Sequence, residues 1–97
     1  MTITKEKESG ILTLKIEGRI DTKTAPELES TLHDSQEGIT GLVFDLAGVS
    51  YISSAGLRVL LMAQKQMNKK GEMRVIHASS DLMEIFEVTG FSDILRI

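Results

Sequence analysis

Residues 45–61 constrain the fold of this chain more than any other segment, because an apolar strand pattern leads through a serine pair directly into an apolar helix. The residues up to Leu46 are typical of the end of a buried strand, and Ser53 or Ser54 occupies the position of a helix N-cap. The first backbone N–H groups of a helix have no partner within the helix, so they favour an anion placed beside them. We therefore expect any functional chemistry at this junction.

Length and composition predict one globular domain over residues 1–97. The chain has 97 residues, of which 41% are hydrophobic and 26% charged, which fits a single core of modest size. It contains no cysteine, so disulfides, thiolate chemistry and cysteine-bound metals are excluded and a cytoplasmic location is expected. No segment resembles a signal peptide or is apolar over the length of a membrane span, so we expect no membrane anchor.

The charge pattern disfavours nucleic acid as a direct partner. The net charge is −3, whereas binding of nucleic acid without sequence preference needs a clustered positive surface. The densest basic group is Lys65, Lys69 and Lys70. It falls at the end of a predicted helix, where it complements the negative pole of the helix dipole, and we interpret it as a solvated helix end.

Strand and helix signals alternate along the chain. Two β-branched runs flank Ser9-Gly10 and predict a hairpin, and Thr24, Pro26 and Glu27 predict a helix that starts with a capping box. The predicted strands are 2–7, 10–17, 40–46 and 73–76, and the predicted helices run from Thr24 to near Gly38, over 55–70 with a stop at Gly71, and from Ser80-Asp81 onward, with apolar residues Phe91, Ile94 and Leu95 closing the domain.

This order of elements predicts an α/β fold. Strands that alternate with helices after a hairpin favour a small sandwich with a mixed, largely parallel sheet of four to five strands and three or more helices. The strand at 40–46 is apolar enough to suggest burial on both of its faces. Ala25, Leu28 and Leu32 share one face of the first helix, which indicates that this helix covers the sheet.

Motifs for catalysis are incomplete in this sequence. A nucleophile elbow requires Gly-x-Ser-x-Gly, and only half of that pattern occurs around Ser50 and Ser54. Glycine loops for phosphate or dinucleotide binding are missing, and the acidic residues fit neither calcium nor zinc sites. His33 and His77 fall at positions expected on the surface. We therefore expect no enzyme activity, no cofactor and no metal.

Three segments together resemble the STAS domain of bacterial anti-sigma factor antagonists. They are Gly18-Arg19-Ile20-Asp21, the Asp45-Leu46 strand and residues 51–60, YISSAGLRVL. Gly71-Glu72-Met73 and the pattern Phe86-x-x-x-Gly90-Phe91 extend the similarity over essentially the whole chain. The resemblance implies a STAS-like sandwich and a protein that works by switching partners.

The resemblance further implies that one serine at this helix start is phosphorylated by a partner that is both anti-sigma factor and serine kinase. The unphosphorylated form binds that partner and frees a sigma factor, and a PP2C-type phosphatase resets the switch. Aligned on the family pattern Asp-Ser-Ser/Thr/Ala-Gly-Leu, Ser54 falls on the phosphoacceptor, and Ser53, which replaces the aspartate, is the alternative acceptor. The partner-binding residues that the resemblance implies are Asp21, Ser53, Ser54, Gly56, Leu57 and Arg58, on a chain that is monomeric when free.

A phosphate on a helix cap at Ser54 is expected to leave the fold nearly unchanged and to alter the docking surface by its charge. We interpret Gly56 as keeping bulk away from the acceptor hydroxyl. Three other interpretations stay open: a serine that is only a structural cap, a STAS adaptor or scaffold that is not phosphorylated, such as a subunit of a lipid transport complex, and a small hydrolase that uses Ser54.

Overall fold

The computed structural model describes all residues from Met1 to Ile97 and contains four strands and four helices. In chain order the elements are β1 Thr2–Glu8, β2 Ile11–Ile20, α1 Ala25–Ser35, β3 Gly41–Ile52, α2 Ser54–Met67, β4 Glu72–Ile76, α3 Ser80–Val88 and α4 Phe91–Leu95. The predicted α/β class, with its opening hairpin, is confirmed. None of these helices combines the length and apolar character needed to cross a bilayer.

The sheet has the strand order β1-β2-β3-β4. β1 is antiparallel to β2, whereas β2 with β3 and β3 with β4 are parallel, so the sheet is mixed and largely parallel as predicted. The two crossovers through α1 and α2 each move one strand in the same direction. Because such crossovers are right-handed, both helices lie on the same face of the sheet.

Burial alternates along the strands and shows which face the helices cover. Leu14 on β2 and Phe44 on β3 are fully buried, whereas their neighbours Lys15 and Asp45 are exposed and half-buried. The core is one cluster of 23 buried residues. The prediction that β3 is buried on both faces is therefore wrong, because all helices pack on one side and the opposite face stays open.

β3 is longer than the sequence predicted. It continues to Ile52 and pairs with the second half of β2, with register shifts between Lys15 and Glu17 and between Gly18 and Arg19. Gly48 and Ser50 are poor strand formers, so the pattern stopped at residue 46. Since β4 pairs with residues 41–45 alone, the second half of β3 projects past β4 toward the start of α2.

The capping box predicted at the start of α1 does not form. Thr24 is the N-cap residue but makes no side-chain hydrogen bond to the helix. Its hydroxyl donates to the Arg19 carbonyl oxygen and accepts from the Asp21 N–H, both at 2.8 Å. Thr24 therefore closes the turn between β2 and α1 instead of capping the helix with Glu27.

Two helices end earlier than predicted. α1 ends at Ser35 instead of near Gly38, and α2 ends at Met67. The role of Gly71 is close packing and not a left-handed helix stop, because a Cβ atom there would lie 1.8 Å from the Thr40 carbonyl oxygen. The connection from α2 to β4 therefore needs glycine at position 71.

Candidate functional site

The candidate site lies where β2 and β3 end and α2 begins. The Ser53 N–H donates to the Ile20 carbonyl oxygen at 2.8 Å, which ties the start of α2 to the end of β2. In parallel sheets, loops at the carboxyl ends of the strands and the helix starts beside them form the usual binding crevice. The fold therefore brings the turn that follows Ile20 beside the serine pair.

Ser53 is the N-cap of α2. Its backbone is extended, with φ −92° and ψ 175°, and its Oγ accepts from the Gly56 N–H at 3.4 Å, slightly beyond the ordinary range of such bonds. The side chain is half-buried. Of the two caps that the sequence left open, the structure has Ser53, so the expectation that Ser54 itself caps the helix is wrong.

Ser54 is the first residue of α2, and its side chain is exposed. Its hydroxyl forms no hydrogen bond within the chain. The first helical hydrogen bond runs from the Leu57 N–H to the Ser53 carbonyl oxygen at 2.9 Å, so the N–H groups of Ser54 and Ala55 have no partner in the helix. The hydroxyl thus stands free at the positive pole of the helix dipole.

Gly56 and Leu57 face the core beneath this surface. A Cβ atom at Gly56 would lie 2.7 Å from Ile20 Cγ2 and 2.7 Å from Ile52 Cγ1, and Leu57 is 7% exposed. Glycine therefore lets α2 approach the ends of β2 and β3, which is a packing role and not the clearance around the acceptor hydroxyl that we inferred from the sequence. Direct contact of either residue with a partner stays a prediction.

Asp21 lies half-buried in the turn that follows β2. Its Oδ1 accepts from the N–H groups of Lys23 at 3.0 Å and Thr24 at 3.1 Å. The Thr24 N–H lowers the pKa of Asp21 most strongly, and it outweighs, together with the Lys23 N–H and the nearby Arg19 charge, the opposing effect of desolvation. Asp21 is therefore a carboxylate at neutral pH beside the start of α2.

Arg19 and Tyr51 adjoin Asp21 on the open face of the sheet. The register of β2 and β3 pairs the two residues, and the guanidinium carbon lies 4.5 Å from the centroid of the Tyr51 ring. Arg19 Nε is also 3.6 Å from Asp21 Oδ2. We inferred no role for this pair from the sequence, because uninterrupted parallel pairing from Ile11 and Gly41 would set Arg19 opposite Val49, and the two register shifts are what bring it opposite Tyr51. Together the three side chains form a charged corner next to the serines.

Arg58 follows Ser54 by one helical turn and is exposed. The three ion pairs of the molecule involve Lys15, Arg19 and His77, so Arg58 has no carboxylate partner. Its charge is therefore available to a molecule that docks at this end of α2.

The histidines lie on the surface, as the sequence predicted. His77 Nδ1 is 3.0 Å from Asp45 Oδ1, but β3 is extended between Asp45 and the serines, which separates them by roughly 25 Å at about 3.3 Å per residue. This histidine and carboxylate therefore cannot serve Ser54 as a base. No cluster of three or more His, Asp or Glu side chains is arranged to hold a metal ion.

Comparison with known proteins identifies the family. The model of the STAS domain matches residues 2–97. The anti-sigma-B factor antagonist of Listeria monocytogenes is 38% identical over 96 residues, which cover 96% of this chain and 83% of that protein. An anti-sigma factor antagonist from Mycobacterium paratuberculosis superimposes with a TM-score of 0.86 at 26% identity, over 95% of this chain and 80% of that one. The phosphorylated form of Bacillus SpoIIAA has the same fold, with a TM-score of 0.77 at 14% identity over 95% and 86% of the two chains. The chain therefore belongs to the STAS domain family, as its motifs had indicated.

Proposed function

We propose that this protein is an anti-sigma factor antagonist whose partner binding is switched by phosphorylation of Ser54. The observation that carries the proposal is the exposed, unengaged hydroxyl of Ser54 at the first position of α2. The relatives from Listeria and Mycobacterium that are named as anti-sigma factor antagonists support the regulatory role. The phosphorylated form of SpoIIAA, which shares the fold, supports the switch.

The geometry favours Ser54 over Ser53 as the acceptor. The Ser53 Oγ accepts a hydrogen bond from the Gly56 N–H and is half-buried, so a phosphate there must displace the cap. Ser54 Oγ has no internal partner to lose, and a kinase can approach it from solvent. Ser53 remains the alternative acceptor if the kinase can unfold the first turn of α2.

Phosphorylation at Ser54 changes the surface and not the fold. The phosphate adds about 1.5 to 2 negative charges, and the positive pole of α2 offsets about 0.3–1 kcal/mol of their cost. Asp21 already contributes a carboxylate beside this helix start. A partner that matches the unmodified surface then meets extra negative charge, and like-charge contact in an interface costs several kcal/mol.

The partner of the unphosphorylated form is, in this proposal, an anti-sigma factor that is also the serine kinase. Its capture frees a sigma factor, and a PP2C-type phosphatase restores the free hydroxyl. The protein then acts as a cytoplasmic regulator without catalysis of its own. The docking surface combines Asp21, Ser53, Ser54 and Arg58, with Gly56 and Leu57 holding it in place from beneath.

A non-phosphorylated adaptor is the second candidate, and one observation favours it. Ser53 stands where the family pattern has aspartate, so a kinase that recognises that aspartate would not select this loop. The two candidates differ in whether Ser54 gains a phosphate at all.

Incubation with the cognate kinase and ATP tests the proposal. The wild type is expected to gain one phosphoryl group at Ser54, Ser54→Ala none, and Ser53→Ala, the matched control, one. Circular dichroism checks that each variant is folded. Labelling of Ser54→Ala but not of Ser53→Ala would move the acceptor to Ser53, and no labelling of the wild type would favour the adaptor.

A further inference from the structure

We infer that the outer edge of β4 binds an extended, acidic segment of a partner protein as an added strand. A groove of about 460 Å³ runs along this edge. We call it the β4 groove; it is lined by Gln64 and Asn68 of α2, by residues 71–76, and by Leu95, Arg96 and Ile97. None of its residues belongs to the Ser54 site, so the inference does not depend on the proposed switch.

The backbone of β4 is unpaired on its outer side. β4 is the last strand in the sheet order and is hydrogen-bonded to β3 alone. No backbone hydrogen bond outside the regular elements joins β4 to α4. An edge strand of this kind presents a row of N–H and C=O groups that an extended peptide can pair with.

A buried, unsatisfied amide also lines the groove. Gln64 is 5% exposed and is the one buried polar residue of the chain. Its Nε2 donates to Asn68 Oδ1 at 2.9 Å, but its Oε1 has no hydrogen-bond partner. Buried acceptors without a partner are rare in folded proteins. A hydrogen-bond donor that enters the groove, with the exposed Asn68 side chain moving aside, satisfies the Gln64 Oε1.

The charge of the groove favours an acidic occupant. Arg74 lies at the centre of β4 and Arg96 at the opposite wall, and neither takes part in the three ion pairs of the molecule. Glu72 is the one acidic residue of the lining. The surface is therefore locally positive on a chain whose net charge is −3, and a glutamate- or aspartate-bearing strand complements it.

A second copy of the chain fits this edge less well. Antiparallel pairing of two β4 strands about their middle residue places Arg74 directly opposite the Arg74 of the other copy, and like charges in such a pair are destabilising. The other sheet edge, β1, carries the alternating charges of Lys5, Glu6, Lys7 and Glu8, which is typical of an edge that avoids pairing. β4 carries two such charges, Glu72 and Arg74, against the four of β1.

Amide chemical shifts of the ¹⁵N-labelled protein test the inference. The probes are two capped seven-residue peptides, one alternating valine with glutamate and the other valine with lysine. The glutamate peptide is expected to shift the amides of residues 72–76 and of Arg96, and to bind at least tenfold more tightly than the lysine peptide. Arg74→Glu is expected to reverse that preference, while the control Lys5→Glu, on β1, leaves it unchanged.

The isosteric variant Gln64→Met supplies a second test, in which the melting temperature and the peptide affinity are expected to change in opposite directions. Its melting temperature is expected to rise, because an unsatisfied buried acceptor is removed, while its affinity for the glutamate peptide falls several-fold. Equal binding of both peptides at millimolar concentration, no binding of either, or an unchanged preference in Arg74→Glu would overturn the inference. Shifts at residues 72–76 that grow with protein concentration alone would also overturn it, since the occupant would then be a second copy.

Discussion

The guanidinium of Arg19 stacks on the ring of Tyr51, 4.5 Å from its centroid, where β2 and β3 run out toward the candidate site. The same guanidinium has its Nε 3.6 Å from Asp21 Oδ2, so one side chain links the open face of the sheet to the turn beside the serines. The stack restrains Arg19, and Arg19 adds an exposed ion pair to a carboxylate that the N–H groups of Lys23 and Thr24 already hold.

Loss of the Tyr51 ring is expected to weaken this corner. Tyr51→Leu removes a cation–π contact worth about 0.5–1 kcal/mol at an exposed site, so the free energy of unfolding in urea is expected to fall by about that amount. Tyr51→Phe, the matched control, keeps the ring and most of the stability. Equal losses in both variants would show that the hydroxyl, and not the stack, matters.

The two adjacent serines are expected to respond differently to alanine. Ser53→Ala removes the cap of α2 and is expected to lower the free energy of unfolding by about 1 kcal/mol. Ser53→Asp, which restores the aspartate of the family pattern, keeps a capping oxygen and is expected to retain the stability. Ser54→Ala changes an exposed side chain without an internal partner and is expected to stay within about 0.5 kcal/mol of the wild type. Urea unfolding of the three variants tests these expectations. A larger loss of unfolding free energy in Ser54→Ala than in Ser53→Ala would contradict the assignment of the cap.

A methyl group at position 56 is expected to disturb the start of α2. The added Cβ would lie 2.7 Å from side-chain carbons of Ile20 and Ile52, and crowding of this kind in a packed core costs about 1–3 kcal/mol. The unfolding midpoint of Gly56→Ala in urea measures the loss. A midpoint equal to that of the wild type would mean that α2 can move away from the sheet at no cost.

Acid is expected to destabilise the protein through two carboxylates. Burial raises the pKa of Asp45, but the Ala47 N–H and the contact with His77 outweigh it, so that the native pKa is lowered; that of Asp21 is lowered mainly by the Thr24 N–H. A carboxylate whose pKa is lower in the native state than in the unfolded state stabilises the fold at pH values above the ordinary pKa of 3.8. This stability is lost as the pH falls through the native pKa.

Asparagine variants test this pH dependence. Asp21→Asn and Asp45→Asn cannot titrate but keep an acceptor oxygen, so their free energies of unfolding are expected to vary less with pH below about 4 than that of the wild type. Urea unfolding at a series of acidic pH values gives the slopes. Slopes that match the wild type in both variants would assign the acid sensitivity to other carboxylates.

The sequence predicted the order of the elements and the junction at Ser53 and Ser54 because local patterns determine both. It did not predict the far half of β3, since Gly48 and Ser50 interrupt the strand pattern and only pairing with β2 makes that segment extended. The one-sided cover of the sheet was also missed, because an apolar strand does not reveal on which face each crossover lies. The prediction of a capping box at the start of α1 was wrong for a similar reason, since Thr24 Oγ1 is hydrogen-bonded to Arg19 and Asp21 across the turn.

The affinity of the protein for the proposed kinase partner, before and after stoichiometric phosphorylation of Ser54, tests the central claim most directly. Titration calorimetry is expected to show a weakening of about a thousandfold, equivalent to roughly 4 kcal/mol, with unchanged circular dichroism spectra and urea midpoints. Equal dissociation constants for the two forms, or a loss of binding that accompanies unfolding of α2, would contradict a switch that acts through surface charge on an unchanged fold.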